Sequence, residues 1–378
     1  MTAVPETTNT GTAGLNKTGK ARMPEQDIAK GIAILLVIAL HTLTLNQGAY
    51  YALGGIFGFI MPFFFFMAGY NHRPYRYTYR QIIAKRSRQI LVPFFIYTLA
   101  ITLIAGIYCV IAEGMPAGKI PDTYLTLLLR QPFAESIGIT PYSNVHGCIM
   151  VGWFIEMLFS GSLIFYAVAD YALLKPARLL SVLAGLIIAT MVFAHFNIKL
   201  PFYIGEAPAI AAIMLIGALF GRQELLSEKG KKWAIIVNGI TAYTLFILLA
   251  LMFQGAGFMA GGSLWNSELK EWTVPLSVAY SVIGTYPFVH CCRCLKKAGF
   301  VSKALIWCGI HSMELLFFHG IVQLFVCSAF GLTPFRMSVH SSENDFRTFY
   351  VLAFEIAGSV LLIRLIEHCK KRMQDCRR

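Results

Sequence analysis

Charged residues are scarce in this chain of 378 residues: Asp, Glu, Lys and Arg together make up 13% of the sequence. Soluble domains usually carry about 25% charged residues. A charged share this low, in a chain that is 57% hydrophobic and contains repeated long apolar runs, excludes an ordinary soluble globular protein. The sequence therefore predicts an all-α, polytopic integral membrane protein whose outer helices contact membrane lipids.

Other absences narrow the function classes. No internal repeat at a fixed period is visible, which argues against transporter folds built from duplicated halves. The nine cysteines show no paired extracellular spacing. The adjacent group of His290, Cys291, Cys292 and Cys294 suggests zinc only weakly, because neighbouring positions wrap a tetrahedral ion poorly. We expect no metal and no tightly bound cofactor.

The net charge of +13 is distributed in short segments between apolar runs and not on one face of a soluble domain. This distribution argues against a nucleic-acid partner. Residues 1–23 form a polar tail that we expect to be disordered, and ten apolar spans follow it. Their approximate ranges are 27–46, 50–70, 89–112, 150–169, 179–195, 204–221, 234–253, 273–291, 305–328 and 348–366.

Lys and Arg alternate across these spans, with 26 on the side that includes both termini and 6 on the other. Because basic residues favour the cytoplasmic side, both termini are predicted to be cytoplasmic. Residues 24–369 then form one transmembrane domain, followed by a basic cytoplasmic tail at 370–378. A cleaved signal peptide is the alternative for the first span, and its removal would reverse the charge bias of the remaining spans.

Several ionisable residues fall inside the predicted spans, where they are costly and mark function by default. They are His41, Glu156, His195, Glu206, His311, Glu314, His319 and Glu355. For the ninth-span residues, the alternative interpretation is a hydrogen bond that cross-links two helices. His195 lies near the outer surface and is interpreted as a solvated loop residue.

The first span reads "DIAKGIAILLVIALHT" over residues 27–42. At about 100° per residue, Asp27, Lys30 and His41 lie on one stripe of a helix, with His41 about 16 Å deeper than Lys30. A basic group at the membrane edge and an imidazole well inside it indicate the wall of a cavity.

The ninth span contains "HSMELLFFHG". Ser312 and His319 share a helical face, while His311 and Glu314 are neighbours three residues apart. A carboxylate near an imidazole can fix its tautomer and raise its basicity, as general-base catalysis requires.

A dense basic patch of Arg80, Lys85, Arg86 and Arg88 precedes the third span. It is either an anchor for anionic lipid headgroups or a clamp for the phosphates of a cytoplasmic donor. In the second span, "PFFFFMAGY" predicts a kink or a close helix contact at Pro62 and Gly69. We expect its four phenylalanines to face lipid.

Five motifs in order resemble the acyltransferase 3 family of membrane O-acyltransferases, especially its fucose 4-O-acetylase-like branch. Lys30 and His41 match the family's pattern of a basic residue, ten residues and a histidine, with lysine where arginine is commoner. The other matches are "MPFFFFMAGY", "KRSRQILVPFF", "VGWFIEMLF" and "GIHSMELLFFHG". The similarity extends over residues 25–366.

The resemblance implies a membrane enzyme that transfers an acyl group, usually acetyl, from cytoplasmic acyl-CoA to a hydroxyl. The acceptor is a sugar, cell-surface polysaccharide, glycolipid or wall component, and the bacterial cytoplasmic membrane is the expected location. On this hypothesis Lys30, Lys85, Arg86 and Arg88 bind CoA, His41, Glu314 and His319 act in catalysis, and Asp27, Trp153, Glu156 and Ser312 line the substrate cavity. Direct transfer and an acyl-histidine intermediate both stay open.

Two other classes compete with the enzyme. A secondary transporter exporting an acylated or anionic solute would use four buried residues for proton coupling: Glu156, Glu206, Glu314 and His319. A non-catalytic sensor or scaffold has little need for a buried histidine aligned with a basic residue. Acceptor, acyl chain and oligomeric state cannot be read from the sequence.

Overall fold

The computed structural model of this chain describes residues 23–43, 57–75, 77–129, 134–135, 137–142, 145, 152–226, 239–241, 244, 271–332 and 346–375. Within these residues 83% are helical and there is no strand, so the all-α fold class is confirmed for the described chain. The main helices are α1 (Pro24–Thr42), α2 (Ile60–Tyr70), α3 (Tyr79–Glu113), α4 (Lys119–Leu129), α5 (Gly152–Ala172), α6 (Pro176–His195), α7 (Ala207–Arg222), α8 (Thr273–Cys294), α9 (Phe300–Ile310), α10 (Ser312–Ala329) and α11 (Arg347–Asp375).

Six described helices are long and apolar enough to cross a membrane: α3, α5, α6, α7 with the turn before it, α10 and α11. The helices α2 and α9 are apolar but shorter. α1 has 19 residues and carries Glu25, Asp27 and Lys30 within them. The total of ten spans and the orientation of the termini stay predictions, and the predicted span at 234–253 lies almost entirely outside the described residues.

The predicted ninth span is wrong as a continuous helix. The chain breaks at His311, whose φ of −98° and ψ of 20° end α9 and begin α10. α10 alone, with 18 residues, has the length and composition of a span. The break brings Ser312 to the first position of a new helix, a consequence that apolar periodicity could not predict.

Glycines allow two pairs of helices to approach at backbone distance. A Cβ on Gly31 of α1 would collide with the carbonyl of Leu305, and one on Gly309 of α9 would collide with the carbonyl of Asp27. The predicted close contact at Gly69 is confirmed, because a Cβ there would strike the backbone of Met214 in α7. Small residues at helix interfaces permit this kind of packing in membranes.

The expectation that the phenylalanines of α2 face lipid is wrong. Phe63, Phe65 and Phe66 are fully buried, and Phe64 is partly buried against the same core. Phe65 stacks on Phe154 of α5 at 4.9 Å between ring centroids. An apolar run reads the same whether lipid or protein surrounds it, so the sequence could not distinguish the two.

Several helix ends meet at one end of the bundle, which we call the basic end. Glu25 at the start of α1 lies 3.8 Å from Arg293 Nε at the end of α8, and 3.4 Å from Lys296 Nζ. At the same end, the loop after α2 contacts the end of α5: His72 Nε2 lies 3.2 Å from Asp170 Oδ1. Burial lowers the pKa of His72, against the opposing effect of the Asp170 carboxylate. The same end holds the cations that concern the site.

Candidate active site

α1 is one continuous helix that contains Asp27, Lys30 and His41, the three residues of the predicted stripe. Pro24 occupies the start of the helix, where a missing N–H costs nothing. Lys30 Nζ lies 3.9 Å from Asp27 Oδ1, and Asp27 is buried. His41 is the last residue but one, so it lies about 16 Å along the axis from Lys30. One helix therefore runs from the basic end to an imidazole in the interior.

A cavity of about 290 Å³ opens beside this helix. Its polar lining comes from Lys30 of α1, Asn71 after the end of α2, Arg86 of α3 and Ser312 at the start of α10. The rest of the lining is mostly apolar, with Ile34, Met61, Phe64, Met67, Ala68, Phe154, Leu158, Gly309, Ile310, Met313 and Leu316. Such a cavity suits a ligand group that is anionic where it meets Lys30 and Arg86 and less polar elsewhere.

Arg86 is directed to the cavity by the local structure of α3. A capping box between Thr78 and Gln81 begins the helix, and a π-helical turn at Ser87–Leu91 follows Arg86. Arg86 Nη2 donates a hydrogen bond to the hydroxyl of Tyr166 at 2.6 Å, which holds the guanidinium in place.

The predicted cationic set divides into two groups. Lys30 and Arg86 share the cavity, whereas Lys85 and Arg88 are exposed and are not among its lining residues. Lys85 Nζ lies 4.2 Å from the centre of the Tyr77 ring. The two exposed cations are placed to meet a ligand only where it leaves the cavity, or to meet lipid headgroups.

His41 and His319 lie side by side, with ring centroids 5.8 Å apart. His319 is buried, and its Nδ1 lies 2.8 Å from the carbonyl oxygen of Leu316 and 3.2 Å from that of Leu315. Because a carbonyl only accepts, Nδ1 must carry the proton. In the neutral ring Nε2 is then an unprotonated base. His41 is partly exposed, as a reacting group requires.

The histidine pair is not among the residues that line the cavity. The innermost cavity residues on the two helices are Ile34 and Leu316, which precede His41 by two turns and His319 by one turn. The cavity lining and the histidine pair are thus consecutive along the same two helices, α1 and α10.

A buried polar cluster surrounds the far end of α1. The Thr42 hydroxyl lies 2.5 Å from Oε2 of Glu355 in α11, and Gln323 of α10 donates to both the His41 carbonyl and the Thr42 hydroxyl. Sequence reasoning missed Thr42 and Gln323 as site residues. Thr42 directly follows His41, and Gln323 lies four residues after His319 on the same helical face. The sequence offered no other signal for these two residues.

Glu314 is not placed with the histidine pair. Its side chain is 40% exposed and lies 4.0 Å from His311, which also lies 3.5 Å from Glu367 of α11. The predicted neighbourhood of His311 and Glu314 is confirmed, but Glu314 is not among the described residues that line the cavity. A catalytic part for Glu314 stays a prediction.

Of the other residues predicted to line the cavity, Ser312 does so, whereas Glu156 and Trp153 are not among its lining residues. Glu156 is buried in α5, two residues from both Phe154 and Leu158, which puts it on the opposite face of that helix from the cavity. Trp153 packs edge-on against Phe154 at 6.2 Å. Among the described residues no group of three His, Cys, Asp or Glu side chains is arranged to hold a metal ion.

Comparison with known proteins gives one match. A family model described as an acyltransferase domain, acyltransferase 3, matches residues 24–363. The matched range includes every cavity residue and both histidines. No curated protein and no solved structure matches the chain significantly.

Proposed function

The chain belongs to the acyltransferase 3 family, and from that premise we propose that it is a membrane-bound O-acyltransferase using cytoplasmic acyl-CoA. The acyl group is acetyl and the acceptor is a hydroxyl of a sugar, cell-surface polysaccharide, glycolipid or wall component. The fucose 4-O-acetylase-like branch and the bacterial cytoplasmic membrane belong to the same proposal. The chain requires no resident metal or cofactor for it.

One observation carries the proposal: a cavity with two cations at one end leads along α1 and α10 toward a pair of imidazoles. CoA has matching chemistry, with phosphates at one end and a long pantetheine arm that ends in the thioester. Lys30 and Arg86 would hold phosphate oxygens, and guanidinium suits that contact because it binds two oxygens at once. Lys85 and Arg88 would add attraction outside the cavity.

The chemical step uses His41 as the general base and His319 as the neighbour that stabilises its protonated form. His41 removes the proton from the acceptor hydroxyl while the oxygen attacks the thioester carbonyl carbon. The carbon–sulfur bond then breaks, and the leaving thiolate takes the proton from the imidazolium, which gives the ester and free CoA. His319 Nε2 stabilises the protonated His41 from the side.

A covalent variant of this step is compatible with the same geometry. In it the unprotonated nitrogen of His41 attacks the thioester carbonyl carbon, the carbon–sulfur bond breaks and CoA leaves as the thiolate. The acceptor oxygen then attacks the acyl carbon, the carbon–nitrogen bond breaks, and the hydroxyl proton passes to the thiolate, which restores neutral His41. Purified protein incubated with radiolabelled acetyl-CoA and no acceptor distinguishes the two routes. Label retained on wild type but not on His41→Ala supports the acyl-histidine route, and label on neither supports direct transfer.

The function itself is tested in cells. Mass spectrometry of surface glycans should show an acetyl increment in cells with the wild-type gene, and its loss in cells without the gene or with His41→Ala. His195→Ala is the matched control, because His195 lies exposed at the end of α6. An acetyl increment that survives His41→Ala would overturn the catalytic assignment.

A transport assay gives the competing class its own test. Proton-coupled solute uptake into vesicles, independent of acyl-CoA, would favour the secondary transporter over the enzyme. The enzyme proposal predicts no such uptake. It predicts that acyl-CoA is consumed when an acceptor is present or, on the covalent route, when His41 takes the acyl group.

A further inference from the structure

The C-terminal end of α1 depends on another helix for its last hydrogen bonds. The final four carbonyls of a helix have no partner within it and must find one elsewhere. In α1 the backbone N–H of Leu43 donates to Ala39, and the Thr42 hydroxyl lies 2.8 Å from the Ile38 carbonyl oxygen. The carbonyl oxygen of His41 instead accepts from Gln323 Nε2 of α10 at 3.2 Å.

Gln323 is held in one orientation by what it contacts. The His41 carbonyl can only accept a hydrogen bond, so the amide nitrogen of Gln323 must face it. The same nitrogen lies 3.2 Å from the Thr42 hydroxyl, whose oxygen also lies 2.5 Å from Glu355 Oε2. Gln323 and Glu355 are both buried. The end of α1 is thereby fixed by side chains from two helices.

α10 contacts His41 twice, one helical turn apart. His319 and Gln323 are four residues apart and lie on one face of α10. His319 meets the imidazole of His41, and Gln323 meets its backbone carbonyl. A rotation or axial shift of the end of α1 would break the Gln323 contact and move the His41 ring away from His319 together.

We infer that Gln323 is a positioning residue for His41: by capping α1 it holds the His41 imidazole against His319 and in register with the thioester. The inference rests on the proposed acyltransferase function. Gln323 touches no reacting atom on this view and lies well beyond the cavity residues that would bind the CoA phosphates. Its loss should therefore affect turnover far more than donor binding.

The experiment measures kcat and the KM for acetyl-CoA in Gln323→Leu and Gln323→Glu. Leucine removes both hydrogen bonds at similar size, and glutamate turns an oxygen toward the His41 carbonyl. We expect kcat to fall about 10- to 100-fold in both, the loss typical of a misplaced reacting group. The KM for acetyl-CoA should stay within about twofold, because Lys30 and Arg86 are unchanged.

Ser328→Ala is the matched control, because Ser328 lies on the same helix and, within the part of the chain that the structure describes, its hydroxyl donates to the Leu324 carbonyl of α10 itself. It should leave both constants unchanged. A double variant, Thr42→Cys with Gln323→Cys in a background without the other cysteines, tests the contact without activity. Because the glutamine side chain bridges more distance than a disulfide can, a short bifunctional thiol reagent is used, and mass spectrometry should find the two peptides cross-linked.

The outcomes separate this inference from the proposed function. Wild-type protein without any acyl transfer would refute the function, while the cross-link would still report the helix contact. Active wild type with unchanged kcat in both Gln323 variants would overturn the positioning inference. A fall in kcat matched by an equal rise in KM, or by a large loss of thermal stability, would also overturn it in favour of a general structural part.

Discussion

At the scale of single residues, Arg86 combines charge with a fixed geometry. Its guanidinium lines the cavity, donates to the Tyr166 hydroxyl and lies 5.2 Å from the centre of that ring. If the proposed function is right, replacing it by glutamine removes one charged contact to a CoA phosphate, and such a contact contributes about 1.5–3 kcal/mol. We predict that Arg86→Gln raises the KM for acetyl-CoA about tenfold or more, with a smaller change in kcat.

The control for Arg86 is Arg178→Gln. Arg178 also lies over a tyrosine ring, 4.6 Å from the centre of Tyr171, but it is not among the cavity residues. Steady-state kinetics with varied acetyl-CoA should show no change for Arg178→Gln. An equal rise in KM for both variants would mean that general surface charge, and not the cavity, attracts the donor.

His319 allows its ring nitrogens to be tested one at a time. Asparagine places a donor near the position of Nδ1, so His319→Asn can keep the bond to the Leu316 carbonyl while losing the base at Nε2. We predict that kcat falls about 10- to 100-fold, because the protonated His41 loses a hydrogen-bond acceptor and a hydrogen bond to a charged group contributes about 1.5–3 kcal/mol. Thermal stability should stay close to wild type. Retained activity in His319→Asn would assign His319 to structure alone.

The same residues show what the sequence could and could not predict. Lys30 and His41 were found because a helix has a fixed period and their charges are expensive in an apolar run. Gln323 and Thr42 were missed because an amide and a hydroxyl occur in membrane helices for many reasons. Their importance comes from a contact between residues 281 or more positions apart, which no local pattern encodes.

At the scale of helices, the contact between α1 and α9 controls where Lys30 and His41 lie. Alanine at Gly309 would place a methyl group against the Asp27 carbonyl, so the two helices must separate. We predict that Gly309→Ala lowers the free energy of unfolding by about 1–3 kcal/mol, the usual cost of overpacking. Thermal unfolding in detergent measures this, and a lower melting temperature is expected.

Gly185→Ala is the control for Gly309→Ala: it is the same substitution, but we expect it to leave stability unchanged or to raise it. Gly185 is helical, and a Cβ added there meets nothing within 4 Å. Alanine is favoured over glycine in a helix by about 1 kcal/mol, so this variant should be as stable as wild type or slightly more stable. A melting temperature for Gly309→Ala equal to that of Gly185→Ala would mean that α1 and α9 are not in close contact.

Helix positions were largely predictable, whereas helix environments were not. α5, α6 and α11 begin within three residues of their predicted starts, because long apolar runs mark them. The break at His311 and the burial of Phe63, Phe65 and Phe66 escaped prediction. Both depend on neighbours: α1 packs against the residues before the break, and α5, α7 and α8 surround the phenylalanines.

At the scale of the whole molecule, the distribution of basic residues and the contacts between helices place the same helix ends on one side. The 26 basic residues predicted to be cytoplasmic include Lys30 and Arg86, which lie in the first half of α1 and α3, and Arg222 and Arg293 in the last turns of α7 and α8. Arg222 donates to the Leu173 carbonyl after α5, and Arg293 lies near Glu25 of α1. At the other end of its helix, His195 lies 3.5 Å from Glu271, which precedes α8. The grouping predicts which residues are reachable from each side of the membrane.

Exposed cysteines make that topology directly measurable. Cys294 and Cys369 are exposed near the ends of α8 and α11, on the side predicted to be cytoplasmic. Ile137, which is 56% exposed, lies in the loop predicted to face outward, and Ile137→Cys supplies a probe there. We expect a membrane-impermeant maleimide to label Ile137→Cys in intact cells, and Cys294 and Cys369 only in inside-out vesicles, each as the single exposed cysteine. Labelling of Cys294 from outside intact cells would reverse the orientation and place Lys30 and Arg86 away from cytoplasmic acyl-CoA. Because an anionic donor cannot cross the apolar core unaided, that result would also refute a cytoplasmic donor.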